Sequence, residues 1–371
     1  MTRIIDADSH FIEPLDLWQR YIEPRFRDRA MHLTRGAEDR LYFAADGRLQ
    51  PFPAEDVLAT LIAYGQKEEG VGLGAFDISG VFDGEFARTP DRMAFLDREG
   101  FDAQFLYPSL GLMTDALVTD PTLAAAHCRA YNRWTFDACA GHRDRLYPVG
   151  HVSLRDPSSA VAEVEWLARE GSRGFFIGAM PIEGKSFGHP DFDPVWAAAQ
   201  DTDLAVNLHL VVHPRYLGNE WRRDPPADFM FASMNLIQDA RMALTTMVYD
   251  GVFERFPGLR VAVVESSSGW VAEWIDRLDY RFSYMGHTTQ MKRPASEYFA
   301  DNVWISADPD ERALPHMVEL VGDDKFFIGS DYPHAEGFVD PVGKAREALA
   351  RLPGASVDRI LGENAAALFR I

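Results

Sequence analysis

The segment IIDADSHFIEP, residues 4–14, is a short apolar run that turns abruptly polar. Ile4–Asp8 has the length and composition of a buried strand. It leads into Asp6, Asp8 and His10, groups whose burial is costly unless they find partners. Seven further runs of the same kind follow: Ala103–Tyr107, Leu146–His151, Gly174–Gly178, Ala205–His209, Val261–Glu265, Val303–Ser306 and Phe326–Ser330. Near-continuous apolar strands of this length suit a parallel sheet covered on both faces. Amphipathic helical stretches separate them, at 120–141, 157–170, 194–200, 229–256, 269–284, 309–321, 341–352 and 357–369. Pro near a first turn and Gly after a last one recur as boundary marks. Eight strands alternating with helices predict an α/β fold, a (β/α)8 TIM barrel with a C-terminal helix, in preference to an open doubly wound sheet. The chain reads as one barrel domain over residues 1–371, with a long insertion after strand one at about 11–89. Connections of that length serve as lids or subunit contacts. Gly70, Gly72 and Gly74 within it do not follow a strand and open a helix, which excludes a dinucleotide fingerprint.

Composition narrows the function. The chain is 47% hydrophobic and 25% charged, with a formal net charge of −20. A surface that acidic repels nucleic acid and anionic lipid, so neither is expected as a partner. The N-terminus lacks a basic-then-apolar signal pattern and no apolar run is long enough to span a bilayer, so a cytoplasmic location is expected. Cys128 and Cys139 fall in one predicted helix, roughly 16 Å apart at helical rise, too far for a disulfide.

The polar residues fall where barrel enzymes keep their chemistry, at the C-terminal ends of strands. Strand one leads into Asp8 and His10, strand five ends in His209, strand six in Glu265, and strand eight leads into Asp331 and His334. Strict alternation puts Asp6, Asp8 and His10 on one side of strand one. His209 faces across the mouth, and closure of the barrel brings Asp331 beside strand one. Two carboxylates and two imidazoles, Asp8, His10, His209 and Asp331, suit one divalent metal, Zn²⁺ or Mn²⁺. His213 competes with His209 and is read as pocket lining. Phe11, Tyr107, Trp221 and Tyr332 are candidate walls for a planar substrate, with ordinary packing as the alternative for each. Asp6 is expected to hold an imidazole in its tautomer. Glu13 lies either near the entrance or at the start of the insertion.

These pieces resemble a known family. IDADSHFIEP at 5–14, NLH at 207–209, VFERFPGLRVAVVES at 252–266 with GW at 269–270, IGSDYPH at 328–334 and ILGENAAALF at 360–369 are similar to the amidohydrolase superfamily, in its aminocarboxymuconate-semialdehyde decarboxylase-like (amidohydrolase 2) branch. The resemblance implies the same four metal ligands, with Asp8 standing where many members have the first His of a His-x-His pair. It also implies a histidine at the end of strand six, where this chain has Glu265. A glutamate there can donate or accept a proton with a raised pKa, bind the metal, or sit in a buried salt bridge.

The branch implies nonoxidative decarboxylation of an aromatic or unsaturated carboxylic acid. A cation would neutralise the substrate's oxygens while a protein acid, Asp331 or Glu265, protonates the ring carbon and CO₂ leaves. His334 would orient substrate or stabilise its loop. The alternative is hydrolysis of an amide, lactone or related bond by metal-activated water. An inactive barrel scaffold would require lost ligands, and all four are present. The resemblance and the insertion together imply a homodimer acting on a small, planar carboxylic acid.

Overall fold

The computed structural model describes residues 2–50, 53–67, 69, 77, 79–82, 88–211 and 236–371. In chain order its strands are β1 (Ile5–Phe11), β2 (His32–Arg35), β3 (Leu41–Ala45), β4 (Arg48–Leu49), β5 (Ala103–Pro108), β6 (Leu146–Pro148), β7 (Gly150–His151), β8 (Gly174–Gly178), β9 (Ala205–His209), β10 (Val261–Val264), β11 (Val303–Ala307) and β12 (Phe326–Ile328). Two parallel ladders, β1-β5-β6 and β7-β8-β9-β10-β11-β12, carry the fold, and β2-β3-β4 form a separate antiparallel sheet inside the insertion. β6 and β7 are one barrel position interrupted at Val149, whose N–H still donates to Leu106 O at 3.0 Å. At the other seam Asp331 N donates to Asp8 O (2.9 Å) and His10 N to Tyr332 O (2.7 Å), tying the chain after β12 to β1. The result is a (β/α)8 barrel with the strand positions expected from the sequence.

Alternation along the strands sorts the core. Ile5, Ala7, Phe105, Phe176, Val264 and Phe327 pack inside the barrel. Val206, Leu208, Val261, Val263, Ile305 and Ile328 face the helices. Strand β1 departs from this pattern. Ile5 pairs with Ala103 and Asp6 with Gln104, but Ser9 pairs with Leu106, so three residues of β1 match two of β5. A bulge of this kind re-aims the residues after it. Ile5 and Ala7 point inward before it, and Asp8 and His10 point into the mouth after it. The expected common face for Asp6, Asp8 and His10 is therefore corrected: Asp6 lies apart from the other two, against Gln104 and Ser330.

The helices follow their caps. Pro121–Ala138 begins on Asp120, whose carboxylate accepts from Thr122 N and Leu123 N, and Pro157–Arg169 begins on Asp156 in the same way. The expected stretch at 229–256 is two helices in its described part, Leu236–Tyr249 and Val252–Arg255, separated at Gly251 with φ +72°. Helix Ala295–Asn302, before β11, has no counterpart in the sequence reading. Residues 354–369 are helical throughout, with a wider turn at Arg359–Glu363. This C-terminal helix closes the barrel bottom: Phe369 stacks on Phe105 at 3.7 Å, and Asn364 Nδ2 donates to Phe326 O. Cys128 and Cys139 are buried free thiols. Among the described residues, no helix is long and apolar enough to cross a membrane.

The insertion reaches back to the barrel mouth. Ala335 N donates to Thr60 O, Tyr64 OH to Phe338 O and Lys67 Nζ to Glu336 O, at 2.8, 2.6 and 2.5 Å. The seam between β12 and β1 leaves no room at Gly329, where an added Cβ would lie 2.1 Å from Asp8 Cβ and 2.9 Å from its backbone. Gly329→Ala is therefore expected to destabilise the protein by about 1–3 kcal/mol through overpacking, measured by urea denaturation. Unchanged stability would contradict the tight seam.

Candidate metal centre and active site

Four side chains meet above Tyr107. His10 Nε2 lies 3.4 Å from Asp331 Oδ1 and 3.7 Å from Asp8 Oδ1, and His209 Nε2 lies 3.5 Å from Asp8 Oδ1. The two imidazoles are 4.9 Å apart, edge to face. Each is held from behind, His10 Nδ1 at 2.8 Å from Pro108 O and His209 Nδ1 at 2.8 Å from Leu210 O. A ring nitrogen that donates to a carbonyl leaves its Nε2 as a lone pair. Burial, with His334 and His209 nearby, holds His10 well below its ordinary pKa and so neutral.

Asp8 Oδ1, His10 Nε2, His209 Nε2 and Asp331 Oδ2 are buried without a hydrogen-bond partner. Each such group costs about 1–3 kcal/mol, and lone pairs crowded together repel. One divalent cation satisfies this donor set, and the chemistry of the donors fits it. Asp8, His10 and His209 offer ligand atoms all within 4.8 Å of one another, as do His10, Asp331 and His334.

The carboxylates arrive on strained backbone. β10 ends at Val264 and β12 at Ile328, each earlier than the sequence pattern suggested. Glu265 and Asp331 then adopt left-handed φ angles of +54° and +52°. Such conformations cost about 1–3 kcal/mol for residues other than Gly and gather at functional sites. They bring Glu265 Oε2 to 3.3 Å from His209 Nε2 and Asp331 Oδ1 to 2.8 Å from His334 Nδ1. Burial pushes the Glu265 carboxyl well above its ordinary range, with Glu336, Asp8 and Asp308 adding to it. Burial and then Glu265, Glu336 and Asp8 do the same to Asp331. His334 stacks on His10 at 3.8 Å, and its Nε2 lies 3.1 Å from Ser109 Oγ. Burial drops its pKa to about 3.

A cavity of about 170 Å³ opens beside these groups, lined by Asp8, Leu210, Glu265, Ser306, Asp331 and Phe338 among others. Three expected wall residues, Phe11, Tyr332 and Tyr107, are not part of it. Phe11, next to inward-facing His10, points outward by alternation and packs on Trp134 at 5.0 Å. Tyr332 stacks on Phe95 at 3.9 Å and under the Arg92 guanidinium at 4.6 Å. Tyr107 packs against the ligand imidazoles, its ring 5.1 Å from that of His209, and is likewise not among the residues lining the cavity. His213 and Trp221 lie outside the described residues.

Asp6 does not orient an imidazole as expected. It accepts from Ser330 N, Ser330 Oγ and Gln104 Nε2 at 2.8, 2.6 and 2.7 Å, so it fastens β1 to the chain carrying Asp331. Glu13 is fully buried and accepts from Ser109 N, Leu110 N and Gly111 N at 3.1, 2.8 and 2.9 Å, fixing the loop that presents Ser109. Sequence reading missed Ser109, Arg92, Lys67 and Glu336. Arg92, buried in helix Thr89–Glu99, donates to Ser9 Oγ at 2.9 Å and to His10 O. A charged residue on an amphipathic helix gives no local sign of such a role. Lys67 carries a cation toward Asp331, Glu336 and Asp308 from the insertion.

Comparison with known proteins supplies context. The family profile described as amidohydrolase matches residues 5–371. A 2-amino-3-carboxymuconate-6-semialdehyde decarboxylase from Dictyostelium discoideum is 25% identical over 225 residues, covering 60% of this chain and 60% of its own length. The matched stretch is thus well short of that whole relative. An amidohydrolase from Mycobacterium avium subsp. paratuberculosis K-10 superposes with a TM-score of 0.84 at 25% identity, over 99% of both chains. A 5-carboxyvanillate decarboxylase from Novosphingobium aromaticivorans DSM 12444, complexed with manganese and 4-hydroxy-3-methoxy-5-nitrobenzoic acid, shares the fold at 18% identity, with a TM-score of 0.68 over 100% of this chain and 96% of that one.

Burial raises the Asp6 carboxyl from 3.8 to about 7. A carboxyl raised on folding favours the protonated form, so its contribution to stability falls as pH rises from its unfolded value toward its folded one. In urea denaturation of the metal-free protein Asp6 should contribute a decline across that window, opposed by the rise that His10 and His334, held low by burial, contribute below their unfolded pKa. Asp6→Asn should flatten the decline in part, because Glu13 is also pushed up to about 7 by burial and keeps its own share. Equal slopes in the two proteins would contradict the assignment.

Proposed function

Because the chain belongs to the amidohydrolase family along residues 5–371, we propose that it is a metal-dependent carboxy-lyase that removes CO₂ from an aromatic or unsaturated carboxylic acid without an oxidant. The observation that carries this reading is the set of buried, unpartnered lone pairs on Asp8, His10, His209 and Asp331 beside a small cavity. These four residues would hold one divalent cation, Mn²⁺ or Zn²⁺. When bound, the cation supplies positive charge that orients an anionic substrate and offsets charge developing in the transition state. The manganese and nitrobenzoic acid held by the carboxyvanillate decarboxylase support both the metal and a planar acid as substrate class.

The chain's own groups supply the rest. The cavity is small for a ligand site, and Leu210, Ala307 and Phe338 give it apolar surface suited to a single ring. Asp331, whose Oδ2 is buried without a hydrogen-bond partner, is the proton carrier. It protonates the ring carbon that bears the carboxylate; the bond to the carboxyl carbon then breaks, its electron pair returns to the ring, and CO₂ departs. His334 touches Asp331 on one side and Ser109 on the other. It therefore positions the acid rather than meeting substrate itself. The decarboxylase from Dictyostelium discoideum, a relative acting on an unsaturated acid, supports the same reaction class.

The test is direct. Protein loaded with Mn²⁺ or Zn²⁺ is assayed for CO₂ release from a panel of hydroxybenzoate-type acids, beside a panel of amides and lactones. Release from at least one acid is expected; turnover of a lactone or amide with none of any acid would reverse the assignment to hydrolysis. His209→Ala should abolish metal binding and turnover together. His334→Ala should lower kcat by about 10²-fold while leaving one metal per chain. Retention of full activity in either variant would remove that residue from the proposal.

A further inference from the structure

We infer that Glu265 is a fifth protein ligand to the cation at the barrel mouth, making the site oxygen-rich and suited to Mn²⁺; this rests on the proposal that Asp8, His10, His209 and Asp331 hold a divalent ion. The argument begins with the strand that carries it. In β10, Ala262 and Val264 pack inside the barrel, while Val261 and Val263 face the helices. Continued alternation would send residue 265 to the helix side, away from the mouth. The left-handed turn at Glu265, φ +54°, prevents this and swings the carboxylate inward.

Its position there is that of a ligand. Donors about 2.0–2.2 Å from a common centre stand roughly 3–3.5 Å from their neighbours. His10 Nε2 and Asp331 Oδ1 are 3.4 Å apart, and His209 Nε2 and Asp8 Oδ1 are 3.5 Å apart. Glu265 Oε2 is 3.3 Å from His209 Nε2, closer to that nitrogen than Asp8 is. The His209 ring already has Nδ1 against Leu210 O, so its Nε2 offers a lone pair and not a proton to the glutamate. A lone pair facing an ionised carboxylate oxygen is repulsive, and a cation held between them turns that repulsion into attraction to both. Among the described residues, no hydrogen bond holds the Glu265 carboxylate, and no arginine or lysine pairs with it. Three carboxylates and two imidazoles exceed the closed four-donor set typical of zinc and move the site toward the oxygen-rich, higher-coordinate geometry of manganese.

The experiment uses the full-length chain stripped of metal. Calorimetric titration gives the stoichiometry and Kd for Mn²⁺ and Zn²⁺, and visible absorption of the Co²⁺-loaded protein reports coordination number. Wild type should bind one ion and show the weak band of five- or six-coordinate Co²⁺. Glu265→Gly, a residue at ease with φ +54°, should weaken Mn²⁺ by at least about 10-fold, weaken Zn²⁺ less, and strengthen the Co²⁺ band toward the four-coordinate form. Asp308→Asn, which removes a neighbouring charge but no proposed ligand, should leave the band unchanged. Circular dichroism checks folding, and Glu265→Gln, which keeps the side-chain shape, should show the same direction of change if the glycine variant does not fold. A Co²⁺ band identical to wild type, with Mn²⁺ affinity no lower than in Asp308→Asn, overturns the inference. If instead His209→Ala binds metal as wild type does, the four-ligand reading itself fails.

Discussion

Buried lone pairs that point at one another cannot be hydrated, and the mouth of this barrel is organised around that constraint. Asp8, His10, His209 and Asp331 come from the first, fifth and eighth positions of a closed sheet and converge with no protein donor between them. Their carbonyl partners, Pro108 O and Leu210 O, fix the tautomers so that every imidazole nitrogen facing the centre is an acceptor. Such an arrangement is unfavourable by itself and becomes favourable with one cation. Folding energy is thus committed to a site that only a metal satisfies.

The rest of the architecture keeps those donors from relaxing apart. Asp6 bridges β1 to Ser330, one residue before Asp331. Asp331 N and His10 N close the same seam through backbone bonds. Arg92 grips Ser9 and His10 from the helix side, and its guanidinium lies over the Tyr332 ring. Glu13 gathers three N–H groups of the loop that delivers Ser109 to His334. The insertion, through Thr60, Tyr64 and Lys67, holds the loop after β12. The chemistry of a handful of residues is therefore supported by elements from most of the chain.

Two departures from regular strand geometry create the site. The bulge in β1 changes the facing of Asp8 and His10 relative to Asp6, and left-handed backbone turns Glu265 and Asp331 inward. The first lies within β1 and the second just past the ends of β10 and β12, so the other strands keep ordinary alternation and an apolar interior. Strain stays confined to the mouth, where metal and substrate energies offset it.

The fold was legible in the sequence because buried parallel strands are short, apolar and regularly spaced, and their polar ends mark the catalytic face of a barrel. That legibility extended to the convergence of Asp8, His10, His209 and Asp331, since residues at strand ends are brought together by closure alone. It failed for Asp6, Phe11 and Tyr332, whose facing depended on the bulge in β1 and on packing against helix Thr89–Glu99. It also missed Arg92, Ser109 and Lys67, whose partners lie far away in sequence. Periodicity reports which residues share a strand. The register between strands, the sign of φ at a strand end, and the contacts of a long insertion are settled only when distant segments pack, because each depends on atoms the local sequence does not contain.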